Sequence, residues 1–374
     1  PPESRGCRRG YHDDHGGALG GRSPAHHPRS AHEYLTRRPT SLPGLVAWPD
    51  ASHAMRWPGA PRVPRVPVQS HGRLRPPDGF TDLVTVSAGI AGPIAMWARQ
   101  GEGDAFLGNG IDLSSRALPD SWPVAIVEYA NGVVLTANTL TEATDLLYPM
   151  VQRFPDGNLL VVNARCRWRA SGPDLNARVI APDGTTIGRG CLGDGIEHVQ
   201  IASDGTIWVG YFDEGVFGNF GWGRPGPEPL GSSGLVAWSS DFEKVWELDA
   251  NEGLVADCYA LNVDEDAVWI CPYTDFPVVN VSHGKARVFA PPAEVGGVHG
   301  LVVDGPAIGL IGSYDDPSVL VTGVLQGDHW TVSDRIKLAL LDGRPLSKMK
   351  IHGRGSVAHL FDGADWYTLN LKDL

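Results

Sequence analysis

Tyrosine followed by carboxylates recurs at three places in this 374-residue sequence, each time after a short apolar run. The segments are Tyr211–Glu214, which includes Asp213 and Glu214, Tyr273–Asp275, which ends on Asp275, and Tyr314–Asp316, which includes Asp315. Aromatic rings beside carboxylates suit sugars, cationic groups and basic peptide segments. The repetition predicts a shared binding face. A tyrosine near an acid also serves as a local cap or a hydrogen bond between sheets, and the sequence leaves that interpretation open.

Other polar and aromatic residues are expected at the same face, because they stand where neighbouring predicted strands begin or end. They are Arg165, Arg167, Asp194, Glu197, His198, Trp222, Asp257, Tyr259 and His299. Binding groups commonly collect on the loops of a rigid scaffold. The leading hypothesis is therefore a scaffold that binds a small molecule or a protein partner on an acidic, aromatic-rich face.

A metal centre is the alternative chemistry. His198 and His299 occupy similar positions in their repeats, and Asp194 or Asp257 could complete a site for Ca, Zn or Mn. Such an ion would activate a water molecule for a hydrolase or lyase reaction in a central channel. The sequence has no H-E-x-x-H motif that fixes the ligands, so it does not decide between an enzyme and a binding protein.

Short β-rich runs separated by Asp-Gly turns must position these residues. Turns of this kind occur at Pro155–Asn158, Pro182–Thr185 and Ser203–Thr206. Asp-Gly between apolar runs is a strong hairpin signal, because glycine adopts positive φ without steric cost. The runs align into a unit of roughly 40–60 residues with four strands, which is typical of a β-propeller.

The predicted units begin near residues 93, 148, 197, 258, 298 and 346. Only three strands are evident in the last unit, and Leu83–Val86 is expected to close it from the N-terminal side. In an antiparallel unit, the start of the first strand and the end of the second lie at the same end of the sheet. This placement is what gathers the tyrosines, carboxylates and histidines at one face.

The fold class expected from this repeat is all-β, a six-bladed β-propeller of four-stranded antiparallel blades. The architecture resembles the propeller superfamily that includes NHL, TolB-like and lactonase-like proteins. The segments Gly193–His198 and Tyr211–Asn219 also resemble a recurrent signature of bacterial propeller proteins without an assigned activity. A lactonase-like propeller would imply a metal with an open coordination position, but no motif of that group maps onto this sequence residue by residue.

Charge divides the chain into two regions. Residues 1–80 contain 12 Arg, no Lys, 6 acidic residues and 13 of the 30 Pro. Residues 81–374 hold the other 19 basic and 37 acidic residues, a formal charge of −18. We expect 1–80 to be a disordered basic leader or an artefact of an upstream stretch read as protein, and 81–374 to form one propeller domain.

Composition excludes several classes of partner. The net charge of −12 disfavours nucleic acid, and no run of 18 apolar residues predicts a membrane span. Cysteines without a C-x-x-C pair indicate reduced thiols rather than a disulfide framework. We expect a monomeric, cytoplasmic protein.

Overall fold

The structure, a computed structural model, describes residues 63–107, 123–140, 146–249, 255–265, 267–290, 295–343, 346 and 349–374. Nearly all regular elements there are β-strands, which confirms the all-β prediction. A single short α-helix, α1 (Asp213–Phe217), is found among these residues. No helix in the described part of the chain is long and apolar enough to cross a membrane.

The strands are short, and most have a buried apolar face. In the first half of the chain they are β1 Arg65–Pro67, β2 Gln69–Arg73, β3 Asp82–Ala88, β4 Pro93–Ala98, β5 Val124–Ala130, β6 Val133–Leu140, β7 Pro149–Arg153, β8 Leu159–Asn163, β9 Trp168–Arg169, β10 Gly172–Pro173, β11 Ala177–Ile180 and β12 Thr186–Gly190. In the second half they are β13 Ile196–Ile201, β14 Ile207–Tyr211, β15 Leu235–Trp238, β16 Lys244–Glu247, β17 Asp257–Val263, β18 Val268–Tyr273, β19 Val278–Ser282, β20 Lys285–Phe289, β21 Gly300–Asp304, β22 Ala307–Ile311, β23 Val319–Gln326, β24 His329–Ala339, β25 Lys350–Arg354, β26 Val357–Asp362 and β27 Asp365–Asn370.

These strands pair into four-stranded antiparallel sheets of the kind that β-propellers repeat. The sheets are β3-β4-β5-β6, β7-β8-β11-β12, β13-β14-β15-β16, β17-β18-β19-β20, β21-β22-β23-β24 and β25-β26-β27-β2. One parallel bridge, between Asn262 and Gly353, joins two of them into a larger sheet. Hydrophobic clusters fill the spaces between successive sheets, for example between β7-β8-β11 and β13-β14-β15.

The predicted Asp-Gly turns lie where the sequence places them. They connect β7 to β8, β11 to β12 and β13 to β14. In each turn the aspartate (Asp156, Asp183 or Asp204) accepts a hydrogen bond of 2.9 Å from the backbone N–H two residues further on. The next residue is a glycine with φ near 90°, which a side chain would disfavour. These turns are therefore locally encoded.

The prediction for the closing strand is wrong. Leu83–Val86 lies within β3, which is the first strand of the first sheet and pairs with β4. The strand that completes the last sheet is β2, paired antiparallel with β27, and β1 adds a parallel edge strand to β24. Both β1 and β2 are in the stretch predicted to be disordered, so the boundary at 80/81 is also wrong. Residues 1–62 lie outside the described part of the chain.

The sequence hides these two strands because they are edge strands. Pro64 precedes β1 and Pro67 is its last residue, and proline is tolerated mainly at sheet edges since it lacks an N–H. Neither strand has the alternation of buried and exposed residues that identifies a strand, because most of their side chains face solvent. His71 of β2 nevertheless stacks on Trp366 of β27, with ring centroids 4.3 Å apart.

The first strands of the sheets contact one another in cyclic order. β3 contacts β7, β7 contacts β13, β13 contacts β17, β17 contacts β21, β21 contacts β25, and β25 contacts β3 again. β17 also contacts β25 directly, across this circle of strands. The described first strands therefore meet at a shared centre.

A fully buried amide, Asn262 of β17, links three of the first strands at that centre. Its Nδ2 donates hydrogen bonds to the backbone carbonyls of Leu301 (2.8 Å) and Gly355 (2.9 Å). Its Oδ1 accepts the backbone N–H of Gly355 at 2.8 Å. Asn262 thus joins β17 to β21 and to the end of β25.

Gln200 of β13 makes the matching connection from the other side. Its Nε2 donates to the carbonyl of Gly353 at 2.9 Å, and its Oε1 accepts the N–H of Val263 at 2.9 Å. A Cβ on Gly353 would lie 1.8 Å from the carbonyl oxygen of Leu301. Only glycine fits here, because the strands approach each other closely. The side chains of Asn262 and Gln200 occupy the centre between them.

We predict that Asn262→Ala destabilises the fold by about 2–4 kcal/mol, because it leaves several buried backbone groups unpaired. Asn280→Ala, on β19 two strands away in the same sheet, is the matched control and should change the free energy of unfolding by less than about 1 kcal/mol. Chemical denaturation of the three proteins measures both values. Equal effects of the two substitutions would contradict a special role for the central amide.

Candidate functional site

The structure divides the predicted face residues into two groups. The first is an ion-pair cluster of Arg165, Asp194 and Glu214. Arg165 donates from Nε and Nη2 to the two carboxylate oxygens of Asp194 at 3.0 and 2.9 Å, and its Nη2 lies 2.6 Å from Glu214 Oε2. Asp194 also accepts the N–H of Cys166 at 2.7 Å. Burial raises the pKa of Asp194, and the charge of Arg165 opposes that rise. Asp194 therefore already has its partners within the protein.

Two aromatic residues predicted at the face are buried beside this cluster. Tyr211 is 0% exposed and donates its hydroxyl to the carbonyl of Leu192 at 2.5 Å. Trp222 donates its indole N–H to the carbonyl of Cys166 at 2.9 Å and packs edge-on against Trp168. Both side chains are therefore buried and hydrogen-bonded to backbone carbonyls of neighbouring loops.

Arg167 also belongs to this group. The guanidinium groups of Arg165 and Arg167 lie 4.3 and 5.1 Å from the centroid of the Phe220 ring. Such contacts stabilise a cation over an aromatic face. The basic segment that follows β8 thus contributes to the local packing of the loop between β14 and β15.

The second group is an aromatic corner formed by Tyr259, Tyr273, Phe276 and Tyr314. Phe276 is buried at its centre, and its ring centroid lies 5.2, 5.9 and 5.8 Å from those of Tyr259, Tyr273 and Tyr314. Tyr273 is 41% exposed and Tyr314 is 55% exposed, while Tyr259 is half-buried. The corner therefore presents tyrosine rings to solvent over a buried phenylalanine.

Strand ends and loops of two adjacent sheets build this corner. Tyr259 lies on β17, Tyr273 ends β18, and Phe276 follows in the connection to β19. Tyr314 comes from the connection between β22 and β23 in the next sheet. The sequence identified the three tyrosines but missed Phe276. Its position three residues after a strand-ending tyrosine was the available signal.

Asp257 begins β17 and is paired in register with Tyr273. Within the described part of the chain, no hydrogen-bond donor or basic group pairs with its carboxylate. Burial, followed by the negative charges of Glu197 and Asp213, raises the pKa of Asp257 to about 8. An isolated, partly buried carboxyl of this kind is characteristic of functional sites.

The groups around Asp257 are mostly acidic or neutral. Glu197 and Asp213 are exposed, as are Asp275 and Asp315, which follow Tyr273 and Tyr314 in their loops. Burial, followed by the hydrogen bond donated to Tyr314, raises the pKa of Tyr259, so this hydroxyl stays neutral.

Lys350 is a further charged group near this site, and the sequence analysis missed it. Partial burial lowers the pKa of Lys350, and the charge of Glu197 opposes that change. Lys350 is the first residue of β25, a strand whose position depends on ring closure. No local motif in the sequence indicates that it lies near Glu197.

The predicted metal ligands are not brought together. No group of three or more His, Cys, Asp or Glu residues in the described ranges could hold a metal ion. Asp194 is engaged by Arg165, and the ring of His299 lies against Gly312. Among the described residues, His198, His299, Asp194 and Asp257 therefore do not form a group that could hold a metal ion, in contrast to the expectation from the sequence.

His198 instead lies near His352 of β25, another residue that the sequence analysis did not select. Burial, followed by the nearby groups His198, Lys350 and His359, lowers the pKa of His352 to about 3. The Nε2 atoms of His198 and His352 are buried and have no partner among the described residues. His198 lies on β13 and His352 on β25, the two strands that the side chain of Gln200 connects.

Comparisons with known proteins assign no family. No protein-family profile matches the chain, and no curated protein matches it. Among solved structures, it is similar to a gluconolactonase from Xanthomonas campestris at 12% identity, covering 80% of this chain and 99% of that chain, with a TM-score of 0.36. It is similar to Hsv2 from Kluyveromyces lactis at 10% identity, covering 78% and 73%, with a TM-score of 0.43. These values assign neither a fold nor an activity.

We predict that Asp257→Asn stabilises the protein increasingly between pH 4 and pH 8. In that window the folded state holds a proton on Asp257, whose pKa is about 8, while the unfolded state has lost it. The folded state therefore binds more protons, and wild-type stability falls as pH rises. Asparagine removes this penalty, so the melting temperature at pH 8 should rise by at least about 2 °C.

Asp241→Asn, in the exposed turn between β15 and β16, is the matched control and should show no such pH-dependent gain. Thermal melts of both variants at pH 4, 6 and 8 make the comparison. If Asp257→Asn is no more stable than the wild type at pH 8, the carboxyl is not held without a partner.

Proposed function

We propose that the chain is a six-bladed β-propeller that binds a cationic ligand at the aromatic corner and Asp257. The ligand is a small molecule or a basic group on a protein partner. The six blades are supported by the repeated four-stranded sheets and by the contact of β25 with β3. The binding role is supported by the chemistry of the corner.

The observation that carries the proposal is the carboxyl of Asp257, which lacks a counter-charge beside exposed aromatic rings. A buried carboxylate without a partner is unfavourable, and a cation brought in by a ligand removes that cost. The tyrosine rings add attraction through their faces. Asp257 thus provides the acidic member of an ion pair, next to aromatic rings that suit a cation.

Long-range charge favours the same ligand. Glu197, Asp213, Asp275 and Asp315 surround the corner with exposed carboxylates, and 81–374 has a formal charge of −18. A surface of one sign raises the local concentration of oppositely charged ligands and speeds their association. Anionic ligands are disfavoured for the same reason.

The alternative of a metal-assisted hydrolase or lyase finds no specific support. Its proposed ligands are separated, and Asn262 and Gln200 occupy the centre where the channel was expected. The exposed groups that remain together are tyrosines and carboxylates. In a binding role these tyrosines and carboxylates contact the cation directly, and no metal ion is needed.

Titration calorimetry with ethanolamine, choline, arginine ethyl ester and a lysine-rich peptide tests the proposal. At least one of these cations should bind saturably, and Tyr273→Ala should weaken that binding by about fivefold or more, as loss of one cation–ring contact implies. Tyr273→Phe keeps the ring and should retain binding.

Ile187→Ala, an exposed apolar truncation on β12, is the surface control and should leave the affinity unchanged. Melting temperatures of all variants establish that they are folded. The proposal is wrong if none of the four cations binds, or if Tyr273→Ala binds as the wild type does.

A further inference from the structure

We propose that the group bound at the aromatic corner is an alkylated ammonium ion, quaternary or methylated, which replaces the proton of Asp257 as its counter-ion. This inference rests on the proposed function and specifies the class of ligand. Three features of the corner carry it, namely the ring faces, the hydroxyl groups and the isolated carboxyl.

The ring faces provide an apolar wall that favours a diffuse cation. Tyr259 and Tyr273 lie nearly parallel, with centroids 6.0 Å apart and an interplanar angle of 30°, while Phe276 closes the base edge-on. The ring of Tyr314 also packs edge-on against Phe276, with centroids 5.8 Å apart. Methyl groups on nitrogen spread the charge and pack against such faces, which is how aromatic cages select quaternary ammonium groups.

The hydroxyl groups are poorly placed to serve a primary ammonium. Such a group has three N–H donors and is strongly hydrated, so it needs several acceptors when it leaves water. The Tyr259 hydroxyl is already bonded to that of Tyr314. Asp257 is then the main acceptor that is withdrawn from solvent, because Glu197, Asp213, Asp275 and Asp315 are exposed and stay hydrated. An alkylated ammonium carries few donors or none and loses less hydration.

The isolated carboxyl supplies the charge. Burial keeps Asp257 protonated in the free protein by raising its pKa, and the negative charges of Glu197 from β13 and Asp213 from α1 add to that effect. The other ionisable groups that the structure describes around this site are Tyr259, Tyr273, Tyr314, Asp275, Asp315 and Lys350, the last of which lies near Glu197. When the cation binds, the carboxyl releases one proton to solvent and becomes the carboxylate that faces the ligand.

The release of a proton makes binding depend on pH in a defined direction. Below pH 8 the cation competes with the proton, so its affinity should rise by up to about tenfold per pH unit. Above pH 8 the site is already ionised, and the affinity should level off. Asp257→Asn has no proton to release and should bind weakly with little pH dependence.

Calorimetry with three closely matched probes tests the ligand class. Choline carries a trimethylammonium group, ethanolamine has a primary ammonium, and 3,3-dimethylbutan-1-ol is the neutral isostere of choline. We expect choline to bind about tenfold more tightly than ethanolamine, a difference near 1.4 kcal/mol, and the neutral alcohol to bind far more weakly than either. Titrations at pH 6, 7, 8 and 9 should show the rise and the plateau for choline.

The controls separate this inference from the proposed function. Asp241→Asn should keep the wild-type pH profile, whereas Asp257→Asn should lose it. If ethanolamine binds as tightly as choline, or the neutral alcohol binds as tightly as choline, the alkylated class is wrong. Binding of ethanolamine that still depends on Tyr273 would leave the proposed function standing. If no cation binds at any pH, both fail together.

Discussion

The hydrogen bonds of Asn262 and Gln200 at the centre of the strand ring constrain the rest of the structure. They join β13, β17, β21 and β25 through backbone groups that would otherwise be buried without partners. Gly353 allows this approach, because a Cβ there would overlap the carbonyl of Leu301. Side chains therefore occupy the centre, whereas the ion-pair cluster and the aromatic corner lie at the rim, where strands end and loops begin.

Two carboxyl groups at the rim, those of Asp194 and Asp257, differ in how their charge is compensated. Asp194 has a bidentate arginine and a backbone donor, so its charge is compensated within the protein. Asp257 has acidic neighbours and no such partner among the described residues. The first arrangement stabilises loops. The second costs stability, which is the usual property of a site prepared for an external partner.

Sequence reasoning succeeded where structure is local. The Asp-Gly turns and the strands they separate depend on residues a few positions apart, and the structure has them as expected. It failed for β2, whose pairing with β27 joins residues nearly 300 positions apart and whose side chains are mostly solvent-facing.

The site shows the same division. Tyr211 and Tyr273 share a sequence pattern, yet one is fully buried and the other exposed, because different loops pack over them. Asp194 and Asp257 likewise could not be distinguished by sequence. They differ because Arg165 pairs with Asp194, whereas no basic group among the described residues pairs with Asp257. Lys350 comes near the site only through tertiary packing, whereas Phe276 follows Tyr273 by three residues and left a local signal.

The most direct measurement is the pH titration of the Asp257 side-chain carboxyl by carbon-13 NMR, with Asp257→Asn used to assign the resonance. The account predicts a pKa of about 8 in the free protein, and a lower pKa when a saturating cation is present. An ordinary value near 4 in the free protein would mean that the carboxyl is solvated or already paired, and it would contradict the central claim.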